Sequence, residues 1–334
     1  MKYLPGIDLS ADILLPCGGS DISAAALWRS NMRDTFIKTL LLKKCWQLHL
    51  MMLPILILLI IFSYIPMVGL VISFQNFIPT RGFFGSPWVG MDNYRFLFGL
   101  REFIQAIRNT LVLSGGKIVL GLSVSIFFAI LLSESRFRLL KNVTQTLVFL
   151  PYFLSWVVLG GIFLDLFSLN GAVNQILSAL NIEPIMFMGH PVWFVIVAII
   201  TDVWKVFGYN MIIFYAAILG IDGSLYESAS IDGAGRIRQI FFITIPCITP
   251  MIVVMSMLSL GNILNAGFEQ ILIMYNPLVY RTADILDTFI YRMGLVSGQF
   301  SFATAVGFFK SLVGMILIVI GNWAAKRFAG YRIF

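Results

Sequence analysis

LYESASIDGAGRIRQIFFITIPCITP, Leu225 to Pro250, is the longest polar-rich passage between two long apolar segments of this chain. It carries the acids Glu227 and Asp232, the arginines Arg236 and Arg238, and the glycines Gly233 and Gly235, then returns to hydrocarbon through Pro246 and Pro250. Just upstream, Ser224 stands three residues before Glu227. That is capping-box spacing, in which the Ser hydroxyl accepts from the third helical N–H and the Glu reaches back to the Ser N–H. The pattern predicts a short helix that stops near Gly233, where glycine accepts a left-handed cap.

On either side of this stretch the chain is mostly hydrocarbon. Of its 334 residues, 59% are hydrophobic and 12% charged, where a soluble domain carries about 25% charged residues. Mean hydropathy is +0.91. Several largely apolar segments reach the roughly 20 residues a membrane helix needs. None alternates as a β-barrel strand does. The expected fold is therefore an all-α polytopic membrane protein. Cys17, Cys45 and Cys247 are scattered, and His49 and His190 stand far apart beside expected membrane boundaries. These spacings build neither a metal site nor a disulfide framework. An integral-membrane enzyme would need catalytic groups gathered in one place.

Six transmembrane helices are expected, at about 49–74, 109–133, 143–167, 192–219, 243–264 and 302–325, after a polar segment 1–45. Within that segment, 29–44 interleaves basic and apolar residues and suits a membrane surface. No long apolar run precedes Cys17, so a signal peptide is not expected. Residues 75–107 read as an aromatic loop at the interface, and 265–301 as a long polar and aromatic loop. An even number of spans puts both termini on one side. That side gathers the basic N-terminal segment, Arg136, Arg138, Lys141, Arg236, Arg238 and the tail residues Lys326, Arg327 and Arg332; the opposite loops, with Arg81, Arg95, Arg101, Arg281 and Arg292, carry fewer. The positive-inside rule then makes the termini and Leu225–Pro250 cytoplasmic. The net charge of +7 needs only this orientation and anionic lipid, not nucleic acid.

From physics alone, Leu225–Gly233 is a short helix along the cytoplasmic face. Small Ser228 and Ala229 let another surface approach, a shape suited to a groove, although an ordinary amphipathic connector has the same description. The residue pattern is more specific. Glu227-Ser228-Ala229, Asp232-Gly233-Ala234 and Ile243-Thr244-Ile245-Pro246 resemble the EAA loop of ABC importer permeases, with Ser228 in place of Ala and Ile245 in place of Leu. The resemblance runs from about Trp46 to Phe334. Ile65-Pro66-Met67, Val89-Gly90 with Asn93-Tyr94, and Asn109-Thr110 are similar to the maltose-type branch. Trp204-Lys205, Asn276-Pro277, Asp287-Thr288 with Tyr291-Arg292, and Gly330-Tyr331 are similar to its oligosaccharide and polysaccharide subgroup.

The resemblance implies a type I importer transmembrane domain over 46–334, with an EAA coupling loop at 221–246. It implies a heterodimer with a second permease, two cytoplasmic ATPase subunits, an extracytoplasmic solute-binding protein and a sugar substrate. Glu227, Ser228, Ala229, Asp232, Gly233, Ala234, Ile243 and Pro246 would make the ATPase contact, with Gly233 as the bend. ATP and Mg would be used by the ATPase subunits and no cofactor by this chain, which has no GxxxxGK[ST].

Ionisable and amide groups within spans are candidates for the substrate pathway. Asp202 and Lys205 stand at i, i+3 and are able to pair. Trp204, Tyr209, Asn210 and Tyr215 lie on the same helix; Asn262, Asn265 and Glu269 form a second group. Aromatic faces suit sugar rings, and amides and carboxylates suit hydroxyls. A structural salt bridge at Asp202 and Lys205 fits the same residues, and Lys117 and Asp165 are able to pair across helices or each to snorkel. The competing function, a secondary transporter or channel without an ATPase, predicts an internal inverted repeat.

Overall fold

The computed structural model describes residues 46–135 and 137–328. The expectations for residues 1–45 and for Gly330-Tyr331 lie outside them. The chain divides into two units at Val68 and Gly69. In the first, helix α1 (Trp46–Leu59) passes through Pro54 into a π turn, Ile60–Tyr64, and a helical turn, Ile65–Met67. The Ile65 N–H donates to the Ile60 carbonyl, five residues back, just before Pro66. A proline ring collides with the carbonyl four residues earlier, and the wider turn makes room for it.

The second unit begins in a 3-10 turn, Val68–Phe74. It continues through α2 (Gly82–Gly85), α3 (Asp92–Gly99) and the long α4 (Arg101–Glu134). Then come α5 (Arg138–Phe149), α6 (Trp156–Leu166), α7 (Ala172–Ala179) and α8 (Pro191–Leu219). The rest is α9 (Gly223–Ile231), α10 (Arg236–Gln239), α11 (Ile245–Gly261), α12 (Phe268–Met274), α13 (Tyr280–Ala283), α14 (Leu286–Tyr291) and α15 (Phe300–Phe328). Among the described residues, five helices are long and apolar enough to cross a membrane, or six if one bent pair counts as a span. The helices by themselves do not orient the termini.

The bent pair corrects the expected straight span at 143–167. Lys141–Phe153 and Trp156–Leu166 meet at 100°. Pro151 lies in a 3-10 turn, Leu154 is extended, and Ser155 restarts the helix by accepting from the Val158 N–H at 3.4 Å. Proline inside a membrane helix is often accommodated without a break, which is why the sequence reads as continuous. Here the extended Leu154 completes the interruption.

The expected loop 265–301 is likewise helical and packed. Ile271, Met274, Val279, Ala283, Ile285, Leu286 and Phe289 are all nearly inaccessible. Polar clamps fix it to α4: Asn109 donates to the carbonyls of Arg281 and Asp284 at 3.2 and 3.0 Å, and the Leu286 N–H donates to Thr110 Oγ1 at 2.9 Å. Arg292 pairs with Asp284, and Lys310 on α15 pairs with Asp287.

Helices α4 and α8 pack along each other. Lipid gives no hydrophobic drive to helix association, so close approach of small residues carries much of it. At Gly208, a Cβ would lie 2.1 Å from the Val148 carbonyl oxygen of α5. Gly208→Ala should therefore push α8 off α5 and cost about 1–3 kcal/mol. The measurement is the melting temperature of the detergent-purified complex; an unchanged value would mean that this crossing relaxes freely.

Candidate functional site

Two sites emerge from the described residues. The first is the stretch around α9. Asp222, not Ser224, is its N-cap: the Asp222 carboxylate accepts from the Ser224 N–H at 3.0 Å. Asp caps as well as Ser does, and here it starts the helix at Gly223, one residue before Ser224. This displaces the expected capping box and leaves Glu227 exposed. The N–H contact holds the Asp222 carboxyl below the usual carboxylate range. A depressed folded-state value means that the cap stabilises α9 at neutral pH and fails only as pH falls below about 4.

The helix ends as expected. Gly233 adopts φ +78°. The Gly233 N–H donates to the Ser230 carbonyl at 3.1 Å and the Ala234 N–H to the Ala229 carbonyl at 2.8 Å, the paired bonds of a Schellman cap. Side chains then tie α9 to its neighbours in the chain. The Tyr226 and Thr244 hydroxyls are 2.9 Å apart, and Gln239 donates to Ser230 Oγ at 2.9 Å. Arg236 reaches Glu134, at the end of α4, at 3.5 Å. Thr244 closes a second π turn, Ile240–Thr244, immediately before Pro246. Glu227, Ser228, Asp232 and Gly233 remain exposed and Ala229 and Ala234 partly so, while Ile231 is 87% exposed. Ile243 and Pro246 open the next long helix.

The second site is a buried polar node beside a cavity. The Lys117 ammonium donates to Asp202 Oδ1 at 3.2 Å, the Ala266 carbonyl at 2.7 Å and Gln270 Oε1. Gln270 in turn donates to the Ala198 carbonyl at 2.8 Å and Thr201 Oγ1 at 2.9 Å. All three ammonium donors are thus used. The node borders a cavity of about 350 Å³ whose wall includes Ser114, Asn210, Asn262 and Asn265.

Asp202 therefore pairs with Lys117, not with Lys205, and Lys117 does not meet Asp165. The i, i+3 spacing permits the first pairing, but Lys117 offers Asp202 a partner with two further acceptors already in place. Asn210, Asn262 and Asn265 share the cavity with Asp202, and Asn265 donates to Asn262 at 3.2 Å. The remaining candidates are elsewhere. Lys205 sits 5.2 Å over the Trp156 ring, Trp204 meets Phe163 edge-on, and Tyr209 stacks on Tyr152. Tyr215 faces the Lys141 ammonium at 5.9 Å. Glu269 is exposed in the first turn of α12.

The family model for the binding-protein-dependent transport system inner membrane component matches residues 121–330. The chain belongs to this family of transport permeases. The permease is 40% identical over 93% of its length, and 96% of the relative's, to the polygalacturonan/rhamnogalacturonan transport system permease protein YteP of Bacillus subtilis. It is 38% identical over 86% of its length, and 91% of the relative's, to protein LplB of the same organism. It also superimposes on a chain of the bacterial alginate ABC transporter crystallised with an alginate pentasaccharide-bound periplasmic protein, with TM-score 0.81, 37% identity, and coverage of 87% of this chain and 98% of that one. Membership favours the importer reading over an ATPase-independent transporter.

Sequence reasoning missed Gln270 and Thr201 in the permease's polar node. Their signal was weak, since an uncharged amide in a stretch expected to be a loop has no reason to stand out. Removing one partner of a buried ion pair leaves the other uncompensated. Lys117→Met should therefore cost the permease about 3 kcal/mol, and Asp202→Asn less, because two acceptors still hold the ammonium. The double variant should be more stable than the sum of the two by about 1 kcal/mol. Thermal denaturation of the four proteins checks this; strict additivity would mean that the pair is not coupled.

Proposed function

We propose that this permease imports an oligosaccharide or polysaccharide fragment across the bacterial cytoplasmic membrane, driven by ATP hydrolysis in separate subunits that grip α9. The observation that carries the coupling half of this reading is α9 itself. It is an exposed helix, capped at both ends, with a left-handed glycine at its exit and side-chain ties to α10 and to the turn that opens α11. A helix built this way moves as a unit. Displacement of α9 reaches the turn that opens α11 through Tyr226 and Thr244, and α10 through Ser230 and Gln239, from where Arg236 meets Glu134 of α4. The π turn before Pro246 lies where that motion enters the span, and such turns often mark functional positions.

In this reading both termini and α9 are cytoplasmic. Glu227, Ser228, Ala229 and Ala234 fill an ATPase cleft, Gly233 makes the bend, Asp232 meets a basic ATPase residue, and Ile243 and Pro246 receive the motion. Two ATPase subunits bind ATP and Mg. This chain binds no cofactor and catalyses no hydrolysis. A second permease completes the pathway, and an extracytoplasmic binding protein delivers the sugar. Asp202, Asn210, Asn262 and Asn265 supply the carboxylate and amides at the cavity; Trp204, Lys205, Tyr209, Tyr215 and Glu269 lie outside it. The carbohydrate substrate is supported by the relatives' names, polygalacturonan, rhamnogalacturonan and alginate.

The test is Gly233→Asp in the assembled importer. A side chain at φ +78° costs about 1–2 kcal/mol of local strain, enough to disturb the exit of α9 without unfolding the spans. Sugar uptake should fall at least tenfold, roughly the effect of 1.4 kcal/mol, while insertion and subunit assembly persist. Unchanged uptake would make α9 a simple connector. ATP turnover by this subunit purified alone would equally sink the proposal.

A further inference from the structure

Three lysines lie within the long helices of the described unit away from their ends: Lys117, Lys205 and Lys310. Two are neutralised, Lys117 by Asp202 and Lys310 by Asp287. Lys205 has no carboxylate and no hydrogen-bond acceptor among the described residues. Its one contact is the Trp156 ring, 5.2 Å from the ammonium. It is also the middle residue of the 29-residue helix Pro191–Leu219, about 21 Å from either end at 1.5 Å per residue. A charge so placed is costly and is ordinarily paired or functional. An aromatic face offsets part of that cost but leaves the ammonium's hydrogen-bond donors unused.

The surroundings of Lys205 define what would use them. One turn along α8, on the same face, Tyr209 stacks on Tyr152 with centroids 4.6 Å apart and planes at 12°, and Phe149 lies nearly parallel at 6.2 Å from Tyr209. The two halves of the broken third span each supply one of the rings. Tyr152, before the break, meets Tyr209; Trp156, after it, meets Lys205. Tyr209 and Tyr152 remain about two-fifths exposed, at 40% and 38%. Asp202, which lines the cavity, stands less than one turn before Lys205 on the same helix α8.

An aromatic platform with an unneutralised ammonium one helical turn away suits a sugar ring that carries a carboxylate. We infer that Lys205, with Tyr209 and Tyr152, forms a subsite for a hexuronate unit of the transported chain, the ring lying against the exposed part of the aromatic stack and the carboxylate accepting from the ammonium. This rests on the carbohydrate-import reading above. A charge-assisted hydrogen bond in a partly dehydrated site discriminates well against a neutral ring. The opposite assignment, a structural ion pair with an acid of the second permease, predicts loss of assembly rather than loss of selectivity.

The experiment uses the complete importer in proteoliposomes, with its binding protein and ATPase subunits, and compares uptake of trigalacturonate, its fully methyl-esterified neutral form, and maltotriose. Wild type should take up the acid. Lys205→Met should lower acid uptake about tenfold, the scale of one charge-assisted contact, with any uptake of the ester unchanged, and Lys205→Arg should restore it. Equal loss for acid and neutral sugar, no loss at all, or release of the second permease on Lys205→Met would each overturn the subsite. Wild-type uptake confined to neutral sugar would overturn it while sparing the carbohydrate reading. Uptake of none of the three would overturn that reading itself.

Discussion

The structure depends on one constraint: a polar group placed in hydrocarbon must be answered from within the protein. The node at Lys117 shows how completely this is done. An ammonium on α4 finds a carboxylate on α8, a carbonyl just before α12 and an amide on α12, and that amide reaches back to α8. One cation thus joins elements far apart in sequence. Such a node is weak evidence of net stability, since desolvation offsets much of the attraction. Its contribution is to register. Sliding α4 along α8 by one turn would strand a charge, so the pairing selects one alignment among many that apolar packing alone would tolerate.

The same logic explains which motifs were readable. Asn93, Asn109, Asn276, Thr288 and Arg292 stand out in sequence as polar letters amid apolar ones. Each is a clamp: Asn93 on the Ser73 and Gln75 carbonyls, Asn109 on Arg281 and Asp284, Asn276 on Met188, and Thr288 and Arg292 on Asp284. The long apolar helices were legible from hydropathy, the left-handed exit at Gly233 from its turn chemistry, and the Glu227-to-Pro246 spacing from its resemblance to the EAA loop. The packed helices of 265–301 were not. Their polar letters look like those of a solvated loop, and only the positions of the clamps reveal that the backbone is folded inward. Nor was the choice of partner for Asp202, because spacing along one helix says nothing about a lysine two spans away.

Proline shows why local rules alone do not decide these breaks. Pro66 and Pro246 each come after a π turn, and the residue before each donates five residues back. The helix widens and continues. At Pro151 the turn tightens to 3-10 instead, Leu154 extends, and the axis swings by 100°. The difference lies four residues on, at Ser155, which can restart a helix with its own oxygen. The chain is thus able to abandon the first axis without orphaning the new helix's N–H groups.

The broken third span also bears on α8. A straight third span would carry Tyr152 and Trp156 on one continuous axis. Tyr152 and Trp156 stand on either side of the bend, and both rings reach α8, one against Tyr209 and the other against Lys205. The same helix α8 carries Asp202 on the cavity wall and ends at Leu219, three residues before the Asp222 cap of α9. Cavity wall and aromatic stack therefore share the single helix α8, and a three-residue turn joins its end to α9. A helix transmits displacement along its axis with little loss, because stretching it breaks backbone bonds in hydrocarbon, where nothing replaces them. On the import reading proposed above, motion imposed at α9 crosses the short turn to α8 and passes along that helix to the cavity wall.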